Sequence, residues 1–227
     1  MADGLGRREA VKVWDLPTRI FHWTLAVLVV AMWWTGEERE IALHTRIGTV
    51  LVGLLLFRLL WGFFGSETAR FSHFLKGPAA VLAYVRGERP VLVGHNPLGG
   101  WAIALMLALL VCQAGLGLIA HDVDGLESGP LSHLVSYDTA DWARVWHNRL
   151  INAILGLVAL HIGAILVYFL VLDRDLIVPM ISGRKDLPPG IEAPALARAQ
   201  TFLFCAAAAA AAAWWIGAGA PLPAAVG

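Results

Sequence analysis

Four histidines lie within or at the ends of otherwise apolar stretches, and they are the side chains best suited to chemistry. They are His22, His44, His147 and His161. A neutral imidazole in such surroundings can relay protons, ligate a metal or bind haem iron as an axial ligand. Because an ionisable group inside an apolar span is costly, each of the four is a candidate functional residue.

The spacing of these histidines predicts how they pair. His147 and His161 are fourteen residues apart, close to four helical turns, so they lie on nearly one face of a helix and about 21 Å apart along its axis. His44 begins another apolar stretch, at the level of His147, and His22 lies towards the level of His161. The spacing therefore predicts two facing pairs at two depths, His44 with His147 and His22 with His161.

Two imidazoles that face each other across a helix bundle suit a haem iron with two axial ligands. The sequence has no C-x-x-C-H motif for covalent attachment, so two such groups would be b-type haems. Other readings stay open for single residues. His44 or His147 alone could be an interfacial histidine, a proton relay usually adds intramembrane acids, and one zinc ion fits four histidines at two depths poorly.

The remaining four histidines are interpreted as background because they lie in loops or at the end of an apolar stretch. Of these, His121 directly follows an apolar stretch and is the one expected nearest to a cofactor. The four are His73, His95, His121 and His133.

The composition indicates that the elements carrying these residues are membrane helices. Of the 227 residues 58% are hydrophobic and 15% charged, against about 45–50% and about 25% in a soluble domain, and the mean hydropathy is +0.67. Seventeen basic and seventeen acidic residues cancel, so no nucleic-acid partner is expected. Two cysteines exclude a disulfide framework. Membrane lipid is the expected environment.

Five stretches approach the length of about 20 apolar residues that spans a bilayer. The fold class predicted is an all-α integral membrane protein, a four-helix transmembrane bundle with a fifth C-terminal helix. Because the fifth stretch is rich in weakly apolar alanine, the alternatives are a helix lying on the membrane and a loosely ordered tail. We expect a bundle domain at 1–185, and a linker with the extra helix at 186–227. The stretches are 17–35, 41–64, 100–120, 146–172 and 200–219.

The distribution of charge predicts the topology. Thirteen of the seventeen Lys and Arg residues lie in the segments before the first stretch, between the second and third and around the linker, or in the ends of the stretches that adjoin them. The other two connections, with the adjoining ends of the stretches, carry four arginines and eight acids. The positive-inside rule then places the N-terminus in the cytoplasm of a bacterial inner membrane and the acidic connections outside. The eight acids are Glu37, Glu38, Glu40, Asp122, Asp124, Glu127, Asp138 and Asp141.

Four arginines are candidates to bind haem propionates. Arg58 lies fourteen residues after His44, so it lies along the same helix face near the inner pair. A buried arginine needs an anionic partner, whereas an arginine that snorkels to the cytoplasmic surface does not; the sequence leaves both open. Arg19, Arg46 and Arg149 lie within one turn of a predicted ligand and are weaker candidates.

The sequence resembles the bacterial cytochrome b561 and nickel-dependent hydrogenase b-type cytochrome family. The resemblance covers about residues 11–185. It implies a four-helix bundle with two b haems, whose ligands carry over to His22, His44, His147 and His161. It rests on "VKVWDLPTRIFHW", "LHTRIGTVLVGLLLFRLLWGFFG", "ARFSHFLKGPAAVLAYVRG", "GHNPLGGW", "WHNRLINAILGLVALHIG" and "ISGRK".

Two stacked haems would carry electrons across the membrane. The expected function is electron transfer between the quinone pool of a respiratory chain and a periplasmic redox partner, either a c-type cytochrome or a hydrogenase subunit. The acidic outer connections would steer a basic partner. A stand-alone superoxide:quinone-type oxidoreductase and a non-redox transporter are the alternatives, so whether the chain is itself an enzyme stays open. The sequence does not predict an oligomeric state.

Overall fold

The computed structural model describes residues 8–88, 93–121 and 127–221. Arg7 and Arg89 of the inner segments, and Asp122 and Asp124 of the outer loop, lie outside these ranges. The helices are α1 Leu16–Glu37, α2 Ile41–Phe64, α3 Phe71–Phe74, α4 Pro78–Val85, α5 Pro97–Ile119, α6 Tyr137–Leu170, α7 Ile177–Ser182 and α8 Ala199–Gly217, and the strands are β1 Glu9–Lys12 and β2 Arg184–Leu187.

Five of these helices, α1, α2, α5, α6 and α8, are long and apolar enough to cross a membrane. The predicted all-α membrane class is therefore confirmed. The bounds of α1, α2 and α8 lie close to those predicted, and α5 begins three residues earlier, at Pro97. Its start is set by Asn96, whose side chain accepts a hydrogen bond from the Gly99 amide at 2.7 Å, and by proline at the first helical position.

Helix α6 departs from the prediction. It begins at Tyr137, nine residues before the predicted start, so the expected outer loop of 121–145 is partly helical. The Ser136 hydroxyl accepts a hydrogen bond from the Thr139 amide at 3.3 Å and caps the new start, as serine does at helix N-termini. Hydropathy marks only the apolar part of a helix, and the polar first turns of α6 extend beyond it.

The bundle core is formed by α1, α2, α5 and α6. Leucines on α2 and α5 pack together with one side chain from each of α1 and α6, so the four helices share one apolar interior. The buried residues of this core are Phe21, Leu51, Leu55, Leu107, Leu110 and Ile154.

Segments distant in sequence pack together at the end of the bundle that the charge distribution predicts to face the cytoplasm. Strand β1 pairs antiparallel with β2, from Glu9 opposite Leu187 to Lys12 opposite Arg184. The Thr68 hydroxyl, after α2, donates a hydrogen bond to the Val13 carbonyl at 2.7 Å. The predicted domain boundary, between residues 185 and 186, falls within strand β2. The division into two domains stays a prediction.

Helix α8 packs outside the four-helix core, against α2. Its contact face is made of small side chains, because Cys205, Ala209 and Ala213 are buried. Gly53 of α2 lies so close that a Cβ added there would stand 3.0 Å from the Cβ of Ala213. Small residues let membrane helices approach closely and gain van der Waals contact.

We expect Gly53→Val to destabilise the protein by about 1–3 kcal/mol, the range for overpacking, because α2 and α8 must separate. Gly156→Val is the matched control: Gly156 lies on α6, and a Cβ there meets nothing within 4 Å. Thermal unfolding in detergent measures both variants. Equal losses of stability in the two variants would show that the contact between α2 and α8 does not explain the effect of Gly53→Val.

Candidate functional site

The structure brings the four histidines together in the two predicted pairs. The ring centroids of His44 and His147 are 6.0 Å apart, with an interplanar angle of 83°. Those of His22 and His161 are 6.5 Å apart, with an angle of 56°. Helix α6 thus supplies one member of each pair, α2 supplies the partner at one end and α1 the partner at the other.

The separation within each pair fits one metal atom between two imidazoles. A bond from imidazole nitrogen to a metal is about 2.0 Å, and the ring centre lies about 1 Å behind the nitrogen, so two axial rings have their centres about 6 Å apart. Within the described ranges no group of three or more His, Cys, Asp or Glu residues could hold a metal ion. Two imidazoles at this separation can therefore share one metal atom.

His44 and His147, which we call the outer pair, are oriented by hydrogen bonds at Nδ1. Nδ1 of His147 lies 2.9 Å from the carbonyl oxygen of Gln113. Because a carbonyl only accepts, Nδ1 carries the hydrogen and Nε2 keeps its lone pair. The Gln113 side chain donates back to the His147 carbonyl at 3.0 Å. A hydrogen bond to the ring nitrogen that faces away from a metal sets the tautomer and orientation of a metal-binding histidine.

His44 is held in the same tautomer by Thr35, which is fully buried at the end of α1. The Thr35 hydroxyl donates to the Ala31 carbonyl at 2.8 Å, so its oxygen accepts from Nδ1 of His44 at 3.0 Å. A hydroxyl has a single hydrogen to donate. Both outer histidines therefore present an unprotonated Nε2.

Arg58 is buried, with 4% of its surface exposed. Its guanidinium carbon lies 5.9, 5.4 and 5.7 Å from the ring centroids of Phe21, Phe71 and Phe74. One terminal nitrogen, NH1, has no hydrogen-bond partner in the described part of the chain. The snorkelling alternative is wrong, because three aromatic rings of α1 and α3 enclose the group.

The three weaker arginine candidates lie in different surroundings. Arg46 and Arg149 are exposed, and the Arg149 guanidinium lies 5.6 Å from the ring of Trp146. Arg19 donates a hydrogen bond to the carbonyl of Ile181 in α7. None of these three is enclosed as Arg58 is.

Sequence reasoning gave no role to His95, which the structure places beside Arg58. Its ring lies 4.4 Å from that of Trp14 and 5.4 Å from that of Phe74, between centroids. Burial, and then the charge of Arg58, lower the pKa of His95 to about 3, so the ring is neutral at pH 7. The sequence signal was slight, because it consists of the glycine that precedes His95. In the structure Gly94 has φ +97°, a conformation that glycine adopts readily.

The other background histidines stay apart from the two pairs. His73 lies 3.5 Å from Glu67, and His133 is exposed. His121, expected nearest to a cofactor, stacks on Tyr137 with ring centroids 4.5 Å apart.

Two facing histidine pairs inside a bundle of apolar helices define a membrane protein suited to binding haem. The profile of the prokaryotic cytochrome b561 family matches residues 13–183, and the chain belongs to this family. It is a b-type haem cytochrome of electron transport. The match covers α1 to α7, and α8 lies beyond it.

Comparison with characterised proteins agrees with this family. A probable Ni/Fe-hydrogenase B-type cytochrome subunit of Bradyrhizobium diazoefficiens is 24% identical over 217 residues, which cover 79% of this chain and 87% of the relative. No solved structure matches the chain.

We expect Gly117→Ala to lower the haem-to-protein ratio, measured by pyridine haemochrome absorbance. A Cβ at Gly117 would lie 2.8 Å from Cε1 of His147, so the ring must turn away from the Gln113 carbonyl. Gly115→Ala on the same helix is the control, since a Cβ there meets nothing within 4 Å. Full haem content in both variants would contradict a role for the His147 orientation.

Proposed function

We propose that the chain is a di-haem membrane cytochrome that transfers electrons across the inner membrane, between a periplasmic redox partner and the quinone pool. The observation that carries this proposal is the presence of two histidine pairs at two depths along α6. The fourteen residues between His147 and His161 correspond to about 21 Å of helix. A single site would need only one of these pairs.

Each pair would hold one haem b by axial ligation, His44 with His147 at the outer end and His22 with His161 at the inner end. Haem supplies one-electron redox chemistry, and the protein sets its position and potential. The outer ligands already present the required nitrogen, because Thr35 and Gln113 accept from the opposite side of each ring. The apolar core of the bundle keeps water away from the path between the two sites.

Arg58 would bind a propionate of the inner haem. The guanidinium is enclosed and one of its nitrogens lacks a partner among the described residues, while an unpaired buried charge costs several kcal/mol. A carboxylate brought by the cofactor would accept a hydrogen bond from that nitrogen. Arg19, Arg46 and Arg149 lie outside this enclosed pocket and remain weaker candidates for propionate contacts.

The partner on the outer side is proposed from charge and from the relative. The outer connections carry acids on both sides of the bundle, which attract a basic surface and accelerate encounter. The relative from Bradyrhizobium is named as a hydrogenase subunit, which favours a hydrogenase-type redox partner over a c-type cytochrome. Either partner would meet the same acidic surface. The described residues of this surface are Glu37, Glu38, Glu40, Glu127, Asp138 and Asp141.

Removing one ligand from the inner pair should remove one haem. We expect His161→Ala to bind one haem per chain where the unaltered protein binds two, with the low-spin spectrum of the outer site unchanged. His133→Ala, an exposed histidine, should keep both. Pyridine haemochrome and electron paramagnetic resonance spectra measure this. Two haems in His161→Ala, or none in the unaltered protein, would refute the proposal.

The proposed orientation is testable with two single cysteines. Glu38 follows α1, Glu88 follows α4, and both are exposed. In intact spheroplasts we expect a membrane-impermeant maleimide to label Glu38→Cys at once and Glu88→Cys only after lysis, because the positive-inside rule places residue 88 in the cytoplasm. The reverse order of labelling would invert the topology.

A further inference from the structure

Arg58 and His95 come from distant segments and meet at one aromatic ring. Phe74 lies 5.7 Å from the Arg58 guanidinium carbon and 5.4 Å from the His95 ring, measured to its centroid. Trp14 covers the opposite side of His95, at 4.4 Å. The N-terminal segment, α2, α3 and the loop before α5 therefore meet around Phe74, and we call this cluster the Phe74 pocket.

Both side chains in this pocket have a buried nitrogen that makes no hydrogen bond in the described ranges. These atoms are NH1 of Arg58 and Nδ1 of His95. Buried polar atoms in native proteins are nearly always bonded, and leaving one unbonded costs about 1–3 kcal/mol. Both groups contact Phe74, and one acceptor could bond both nitrogens if His95 carries its hydrogen on Nδ1.

Asp15, a carboxylate that acts on Arg58, accepts hydrogen bonds from two other groups. Asp15 attracts Arg58 electrostatically, yet its Oδ1 accepts from the Thr18 amide at 2.7 Å and its Oδ2 from the Trp61 indole at 3.0 Å. These bonds cap α1 and tie it to α2. They hold Asp15 in its own place, and no acceptor among the described residues bonds either of the two nitrogens.

The pocket lies at the inner histidine pair. Phe21, which lies against the Arg58 guanidinium, directly precedes His22 in the sequence. An acceptor held there would belong to whatever the inner pair binds.

We propose that Arg58 and His95 together form a carboxylate-binding pocket for the inner haem, in which the neutral His95 ring donates its N–H to the same propionate that Arg58 pairs with. His95 is thus a positioning residue, and this inference rests on the proposed di-haem function. The guanidinium brings a positive charge and the neutral imidazole brings a hydrogen-bond donor, and a carboxylate can accept from both.

His95→Phe tests the donor while keeping an aromatic ring between Trp14 and Phe74. A donor on a propionate offsets negative charge near the iron and favours the reduced haem, so its loss should lower the potential of one haem only. We expect a negative shift of about 59 mV, a tenfold change for a one-electron couple, in a potentiometric titration. The resonance Raman bending mode of the propionate should shift in the same variant.

Two further variants separate hydrogen bonding from packing. His95→Gln restores an N–H donor and should return the potential towards that of the unaltered protein, whereas His133→Phe makes the same exchange at an exposed site and should move neither potential. Two bound haems with unaltered potentials in His95→Phe would overturn this inference and leave the di-haem proposal standing. Equal effects of His95→Phe and His95→Gln would also overturn it, because packing alone would then explain the change. Absence of haem from the unaltered protein would instead refute the proposed function.

Discussion

The fourteen-residue interval between His147 and His161 on α6 is the constraint on which the arrangement of the bundle depends. Both residues lie on one face of a single helix, so their partners must come from helices that pass that face at two different depths. Helix α2 brings His44 to one end and α1 brings His22 to the other, with ring centroids 6.0 and 6.5 Å apart. The shared core of α1, α2, α5 and α6 keeps these distances fixed.

Most of the bundle could be predicted from the sequence because its determinants are local and periodic. Apolar length marked α2 at its observed bounds, and helical spacing paired the histidines. Where the determinant was not hydropathy the prediction failed: α6 begins at Tyr137 because Ser136 caps it, and a polar helical turn resembles a loop when only apolar length is read.

The enclosure of Arg58 and the position of His95 could not be predicted, because each depends on residues far away in sequence. Nothing in the neighbourhood of Arg58 distinguishes a side chain that bends to the surface from one surrounded by Phe21, Phe71 and Phe74. His95 follows a glycine turn, which is typical of an exposed loop. Only the folding of α3 and the N-terminal strand against the bundle gives these residues an interior environment.

Helix α8 has a consequence for how the protein is made. Its central run of alanines gains little free energy from lipid, while its buried face of Cys205, Ala209 and Ala213 matches the surface of α2. Contact with α2 therefore helps to hold this helix beside the bundle. The surface that α8 contacts is made first, because α2 precedes α8 in the chain.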